Sequence, residues 1–247
     1  MDAVSAYFDN LLAVLAEVTA TQRDALHEGA RWIADATLGG RNIFAFGCSH
    51  AGLVTLELYY RTGGMATINP VRAPGLCLDV DPATLTSQIE RLPEYGRAIV
   101  DALPLGAGDV ILIHSVSGRN TVTIDVALRA KEKGARVIAL TNMRTTASVS
   151  SRHPSGKNLY QVADLVLDNC GAHGDSSLDI PGVPERVGPT STAVGAAMLN
   201  AMVSQAVALV TQAGGVAPVF VSANIDGGDA HNQKMLETYK DHIFYMK

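Results

Sequence analysis

The chain has 247 residues, 47% of them hydrophobic and 17% charged, with a formal net charge of −5. This is the composition of a compact folded protein rather than a disordered one. An acidic balance with no basic face excludes a general nucleic-acid binder, so any phosphorylated ligand has to be held by local donors.

The first forty residues read as helical. Leu11, Leu12, Val14, Leu15 and Val18 mark one apolar stripe, and Leu26, Ala30, Ile33 and Ala34 a second. Thr21 followed by Asp24 resembles a capping box at the second helix start, and Gly39-Gly40 is a stop. Strands and helices then alternate. Residues 42–46 (NIFAF) form a strand ending in Gly47, 51–61 a helix closed by Gly63-Gly64, and 66–71 a second strand. Residues 83–103 are helical with a break at Pro93, 109–114 (DVILIH) a strand, 121–133 a helix, 136–141 (RVIALT) a strand and 164–168 (DLVLD) a fifth. A long apolar helix covers 192–211, a late strand is expected at 218–222 (PVFVS), and 229–245 reads as a helical tail. The segment from Thr145 to Tyr160 is long for a plain connector and rich in Ser, Arg and His, which suits a functional loop.

Strands apolar on both faces, separated by helices, predict an α/β fold with a parallel sheet wrapped on both sides. The expectation is a doubly wound five-stranded sheet in the flavodoxin-like order, one domain over residues 1–247. Its first forty residues would pack on the core or on a partner subunit. Cys48, Cys77 and Cys170 are scattered and in no CxxC spacing, which argues against disulfides or structural zinc and suits a reducing compartment. The start of the chain has no basic n-region of a signal peptide, and no apolar run approaches the roughly 18 residues of a membrane span. The cytoplasm is expected, with no membrane partner.

In such sheets ligands bind beyond the carboxyl ends of the strands, where the winding reverses. The exits of the first and third strands are Gly47-Cys48-Ser49-His50-Ala51-Gly52 and Ser115-Val116-Ser117-Gly118-Arg119-Asn120-Thr121. Both are small, hydroxyl-bearing and glycine-punctuated, and both run into a helix whose free N–H groups suit a phosphate. The plainer reading is two tight turns with capping serines. Nucleotides fit less well: Leu53 stands where a P-loop needs Lys, and no GxGxxG is present. No redox cofactor is expected. A third loop, Glu185-Arg186-Val187-Gly188-Pro189-Thr190-Ser191-Thr192, opens the late helix. Ser191 or Thr192 is its expected N-cap, and the loop would close over a ligand.

These three loops resemble those of the SIS (sugar isomerase) domain family, and within it a bacterial group labelled phosphoheptose or phosphosugar isomerases. The stretches that carry the resemblance are GCSHAG, ELYYRTGG, SVSGRN, SRHPSGK, VGPTSTAVGAAMLN and FVSANIDGGDAHN, spanning Gly47 to Asn232. The resemblance implies phosphate contacts from Ser115, Ser117 and Gly118, with Asn120 where many such loops have Thr and with Thr121 adjacent. It also implies a homodimer or homotetramer with sites near subunit boundaries, binding a sugar phosphate.

Isomerisation through an enediol needs a base to move a proton between adjacent carbons and a second group to serve the oxygens. Glu57, seven residues from His50 on the same helix face, is the first candidate base, and Glu185 is the rival. Phosphoheptose isomerases carry a base on this same helix at a spacing that differs slightly. His231, in GGDAHN, is the candidate acid, and the resemblance implies that it serves a neighbouring subunit, as C-terminal histidines do in some SIS enzymes. Each has a plainer reading as a solvated side chain. His50 orients substrate or is a satisfied histidine. Cys48 and Ser49 complete the first loop. No metal is expected, because His50, Glu57 and His231 have no HxxxH or HExxH spacing. His114 reads as structural. Arg119, Arg152, His153 and Lys157 are either anion contacts or solvated charges. The leading activity is aldose–ketose isomerisation of a phosphorylated sugar. A lyase or etherase acting on a phosphorylated amino sugar through Glu57 and Glu185, or a sugar-phosphate sensor, are the alternatives. A free-standing chain with no DNA-binding segment weighs against the sensor.

Overall fold

The computed structural model describes residues 2–246. Two helices open it, α1 (Ala3–Thr21) and α2 (Arg23–Leu38), followed by β1 (Ile43–Gly47), α3 (His50–Leu56) and β2 (Ile68–Pro70). Next come α4 (Thr84–Ile89), α5 (Tyr95–Asp101), β3 (Val110–His114), α6 (Thr121–Glu132), β4 (Arg136–Thr141), and the short α7 (Met143–Thr146) and α8 (Leu159–Val162). The chain continues through β5 (Leu165–Asp168), β6 (Ser176–Leu178), β7 (Val187–Pro189), α9 (Ser191–Gln212) and α10 (Gly228–Thr238).

Five strands form one parallel sheet in the order β2-β1-β3-β4-β5, as the apolar runs predict. Alternation along β3 divides the core. Val110 and Leu112 face α2, α3 and α9, while Ile111 and Ile113 face α5 and α6. The long helix α9 buries Val194, Met198, Leu199, Met202, Val203, Ala206 and Val210. It approaches α2 closely because Gly29 has no side chain: a Cβ there would lie 2.4 Å from the Met202 sulfur. By length and composition α1 and α9 could each cross a membrane. In α9 that apolar surface is spent on the core, whereas α1 keeps Val4, Phe8 and Leu12 exposed, at 69%, 57% and 62%.

Several boundaries differ from the sequence reading. The helix after β1 stops at Leu56 rather than Arg61, and Tyr60 turns into positive φ. Thr21 ends α1, its hydroxyl bonded back to the Glu17 carbonyl, and caps nothing in α2. Residues 218–222 form no strand of the sheet. They make one antiparallel bridge, Val219 to Met65, with Ala66 N–H donating to the Pro218 carbonyl at 2.7 Å. The tail is helical only to Thr238, followed by a 3-10 turn over Lys240–His242. The antiparallel β6–β7 hairpin was not expected. It packs on α1, where Tyr7 OH donates to the Pro189 carbonyl at 3.0 Å and Asn10 Nδ2 to that of Ser177 at 3.1 Å.

Candidate functional site

The winding reverses between β1 and β3, which pair Gly47 opposite His114, so their exits lie side by side at the carboxyl edge. The two exits differ in what they offer. In the first, the Ser49, Ala51 and Gly52 amides are bonded to the Leu76, Cys48 and Ser49 carbonyls. Cys48 is buried and its thiol is pushed up to about 12, by burial first and by the Glu90 charge second. It is a neutral packing group there, 3.9 Å from the Thr123 hydroxyl. His50 is exposed at the start of a seven-residue helix. The first exit is a wall of the crevice.

The second exit is a donor cradle. The Val116 carbonyl accepts from the Asn142 amide and the Thr141 hydroxyl, both at 3.1 Å. The Gly118 carbonyl accepts from the Leu159 amide at 2.8 Å, and the Arg119 carbonyl from the Arg152 amide at 2.9 Å. With the carbonyls pulled back onto the scaffold, the Ser117, Arg119, Asn120 and Thr121 amides have no acceptor among the described residues. Gly118 sits at φ +58°, and a Cβ there would lie 3.0 Å from the Thr146 hydroxyl, so glycine is required twice over. The positive φ of Gly118 between unbonded amides suits an anion nest, here at the head of the twelve-residue α6. The Ser117 hydroxyl is free, and that of Ser115 accepts from the Gly118 amide at 3.2 Å.

Positive side chains surround this cradle. Arg152 Nη1 donates to Asn120 Oδ1 at 2.8 Å, and Arg119 Nη2 reaches Ser150 Oγ at 3.4 Å. Burial lowers the Arg152 pKa, and the Arg91 and Arg119 charges lower it further. Most arginines elsewhere are paired, including Arg31, Arg61, Arg97, Arg129, Arg144 and Arg186. Arg91, Arg119 and Arg152 have no carboxylate within 4.0 Å among the described residues, although Glu90 lies nearby, its pKa raised by burial and held down in part by a hydrogen bond with Asn120. Thr121 donates its hydroxyl to the Arg152 carbonyl at 3.3 Å. Asn120 and Thr121 thus brace the 145–160 segment with their side chains and offer a ligand their amides.

At the third loop, α9 begins at Ser191 with Thr190 as N-cap, and its first donors are already engaged. Asp175 Oδ1 accepts from the Thr190 and Ser191 amides at 3.2 and 2.8 Å, and Oδ2 from the Ser191 hydroxyl at 2.6 Å. Thr190 is fully buried and Thr192 exposed. Glu185 is exposed on the β6–β7 connection.

Glu57 and His231 lie elsewhere. Glu57 pairs with Arg61 and accepts from Asn200 Nδ2 at 3.3 Å. It caps the end of α3, seven residues after His50, and lies beside a residue nine positions into α9, so at 1.5 Å per residue it sits roughly 10–14 Å along these helices from their starts. His231 Nε2 contacts the Val219 carbonyl at 3.1 Å, and Val219 bridges to Met65, just before β2 begins. The nearby cleft of about 400 Å³, lined by Arg61, Phe220, Asp229 and Asn232, is therefore at the opposite, amino edge of the sheet. Within one chain Glu57 and His231 are thus not brought to the cradle, and Glu185 stays exposed on the β6–β7 connection.

Comparison with known proteins was decisive for the family. A family model described as the SIS domain matches residues 6–142. The chain belongs to the SIS-domain family. A UPF0309 protein of Shouchella clausii is 43% identical over 246 residues, covering 100% of both chains, and one of Streptomyces coelicolor is 37% identical, covering 98% of this chain and 96% of the other. Among solved structures, the phosphoheptose isomerase of Neisseria gonorrhoeae is similar at TM-score 0.53 and 17% identity, covering 84% of this chain and 98% of its own. That of Francisella tularensis is similar at 0.54 and 17%, covering 83% and 96%. At that identity the likeness is one of SIS fold.

Two residues beside these loops make contacts that sequence reasoning did not give them, His114 having been read only as structural. Asp175 reaches α9 from a residue sixteen positions before Ser191, which no local capping pattern reveals. His114 ends β3 buried, with Nδ1 at 2.9 Å from the Ala51 carbonyl and no partner for Nε2. A polar residue closing an all-apolar strand was the available signal.

Proposed function

We propose that this SIS protein binds a phosphorylated sugar through the cradle at 115–121 and interconverts its aldose and ketose forms through an enediol. The observation that carries the reading is the set of free amides at Ser117, Arg119, Asn120 and Thr121 beside three arginines without carboxylate partners. Such an arrangement matches a dianion in charge and geometry within an acidic protein. The named activity of the fold neighbours, phosphoheptose isomerase, agrees with it.

In this reading Ser115, Ser117 and Gly118 hold the phosphoryl group, and Cys48, Ser49 and His50 wall the crevice. The loop at Thr190–Thr192 closes its far side. Glu57 or Glu185 is the base and His231 the acid, delivered to the cradle from a neighbouring subunit of a homodimer or homotetramer in the cytoplasm. The exposed Val4–Phe8–Leu12 stripe on α1 is a surface suited to that assembly. The test is calorimetric titration with a panel of five- to seven-carbon sugar phosphates, followed by proton NMR of each binder for ketose formation. Binding with no interconversion of any member would leave a sugar-phosphate binding protein, and no binding would remove the reading.

A further inference from the structure

His114 is the last residue of β3, directly before the cradle, and is 1% exposed. Strand alternation places it on the sheet face covered by α3 and α9. Leu140 is its neighbour across β4 and lies against the first turn of α9, where a Cβ on Gly195 would be 3.3 Å away. The Ala51 carbonyl can only accept, so Nδ1 carries the proton and Nε2 presents a bare lone pair. That lone pair has no partner, and neither does the buried hydroxyl of Thr190 at the head of α9. Asp175 is the charge that acts on His114 from this side, and burial keeps the ring neutral. A buried acceptor with no donor is costly, and each one in a native structure calls for an explanation such as a bound molecule or a functional role.

We propose that His114 Nε2 is a specificity-determining acceptor for a hydroxyl of the sugar. The sugar-phosphate reading is assumed. The phosphoryl group binds in the cradle that begins one residue later, and a carbon-borne hydroxyl of the same molecule donates to Nε2. The site then discriminates by hydroxyl position, because a ligand without that donor leaves the imidazole unpaired.

The discriminating variant is His114→Asn, whose amide NH₂ keeps the bond to the Ala51 carbonyl and removes the acceptor at the Nε2 position. Two unreactive probes are titrated calorimetrically into the full chain: inorganic phosphate and glucitol 6-phosphate. The expected result is unchanged affinity for phosphate and a loss of about tenfold or more for glucitol 6-phosphate, the effect of one buried hydrogen bond. Equal affinity of variant and parent for glucitol 6-phosphate, or a parallel loss for both probes, would overturn the role, the latter making His114 a brace for the first loop. If His114→Asn does not fold, imidazole ¹⁵N spectra of the parent decide: Nε2 should move with glucitol 6-phosphate and not with phosphate, and an unmoved Nε2 at saturation overturns the proposal. If neither probe binds the parent, the sugar-phosphate reading falls and this role falls with it.

Discussion

Asp175 holds Ser191 by both carboxylate oxygens, Oδ1 accepting from the amide at 2.8 Å and Oδ2 from the hydroxyl at 2.6 Å. A side chain sixteen residues upstream thereby does the work expected of an N-cap on a 22-residue core helix. Asp175→Ala should lower stability by about 1 kcal/mol, the ordinary effect of losing a cap, and Asp175→Asn by less, since its amide oxygen still accepts. Urea unfolding of both variants checks the order. Equal loss in the two would mean that the carboxylate contributes as a charge and not as a cap.

Gly118 is the one position where the cradle cannot accept a side chain. Gly118→Ala combines a left-handed backbone, unfavourable by roughly 1–2 kcal/mol, with a Cβ 3.0 Å from the Thr146 hydroxyl and 3.2 Å from Leu159 Cβ. A lower melting midpoint together with at least about tenfold weaker phosphate binding is expected, by calorimetry on the folded fraction. Full affinity in a destabilised variant would place the anion elsewhere.

Burial depresses the folded pKa of His114 below its ordinary 6.5. On acidification the unfolded chain takes up this proton first, so the stability it contributes is present above about pH 6.5 and is lost as pH falls toward the depressed folded value. Glu132 behaves likewise at lower pH. Hydrogen bonds from Arg97 and Arg129 hold its carboxyl at about 2, and its contribution is lost as pH falls from the ordinary 4.5 through that value. Urea midpoints near pH 7.5 and near pH 5 should fall less steeply in His114→Asn than in the parent, whereas Glu132→Gln should show the parent's slope in that window. An identical slope in His114→Asn would contradict the burial of a neutral ring.

Much of the fold is legible in the sequence because the central strands β1, β3 and β4 are buried on both faces, which leaves runs such as VILIH and RVIALT without alternation. The cradle is legible for a related reason. Ser-x-Ser-Gly followed by an apolar helix is a local pattern, and local turn chemistry decides it. What escapes is non-local. The β6–β7 hairpin strands, Ser-Ser-Leu and Val-Gly-Pro, are three residues each and rest on α1, so no periodicity announces them. The early end of α3 at Leu56, with Tyr60 at positive φ four residues on, is not marked by any stop residue before Gly63. Glu57 shares a helix face with His50, as its spacing indicates, yet shared face is not shared height, and Asn200 marks how far down it lies.

The exposed Val4–Phe8–Leu12 stripe is the surface proposed above for assembly. Phe8→Glu with Leu12→Glu should shift the particle toward monomer by light scattering with the fold intact by circular dichroism, and should lower turnover of any identified substrate. A doubly substituted chain of unchanged mass would assign the stripe no part in assembly.

The central claim is met most directly by titrating ¹⁵N-labelled protein with inorganic phosphate and following backbone amides. Saturable shifts concentrated at Ser117, Arg119, Asn120 and Thr121, and weakened about tenfold or more in Ser117→Ala through loss of one hydrogen bond to a charged group, are the expected result. Shifts centred instead on Arg61, Asn232 and the amino-edge cleft, or no saturable shift anywhere, would contradict it.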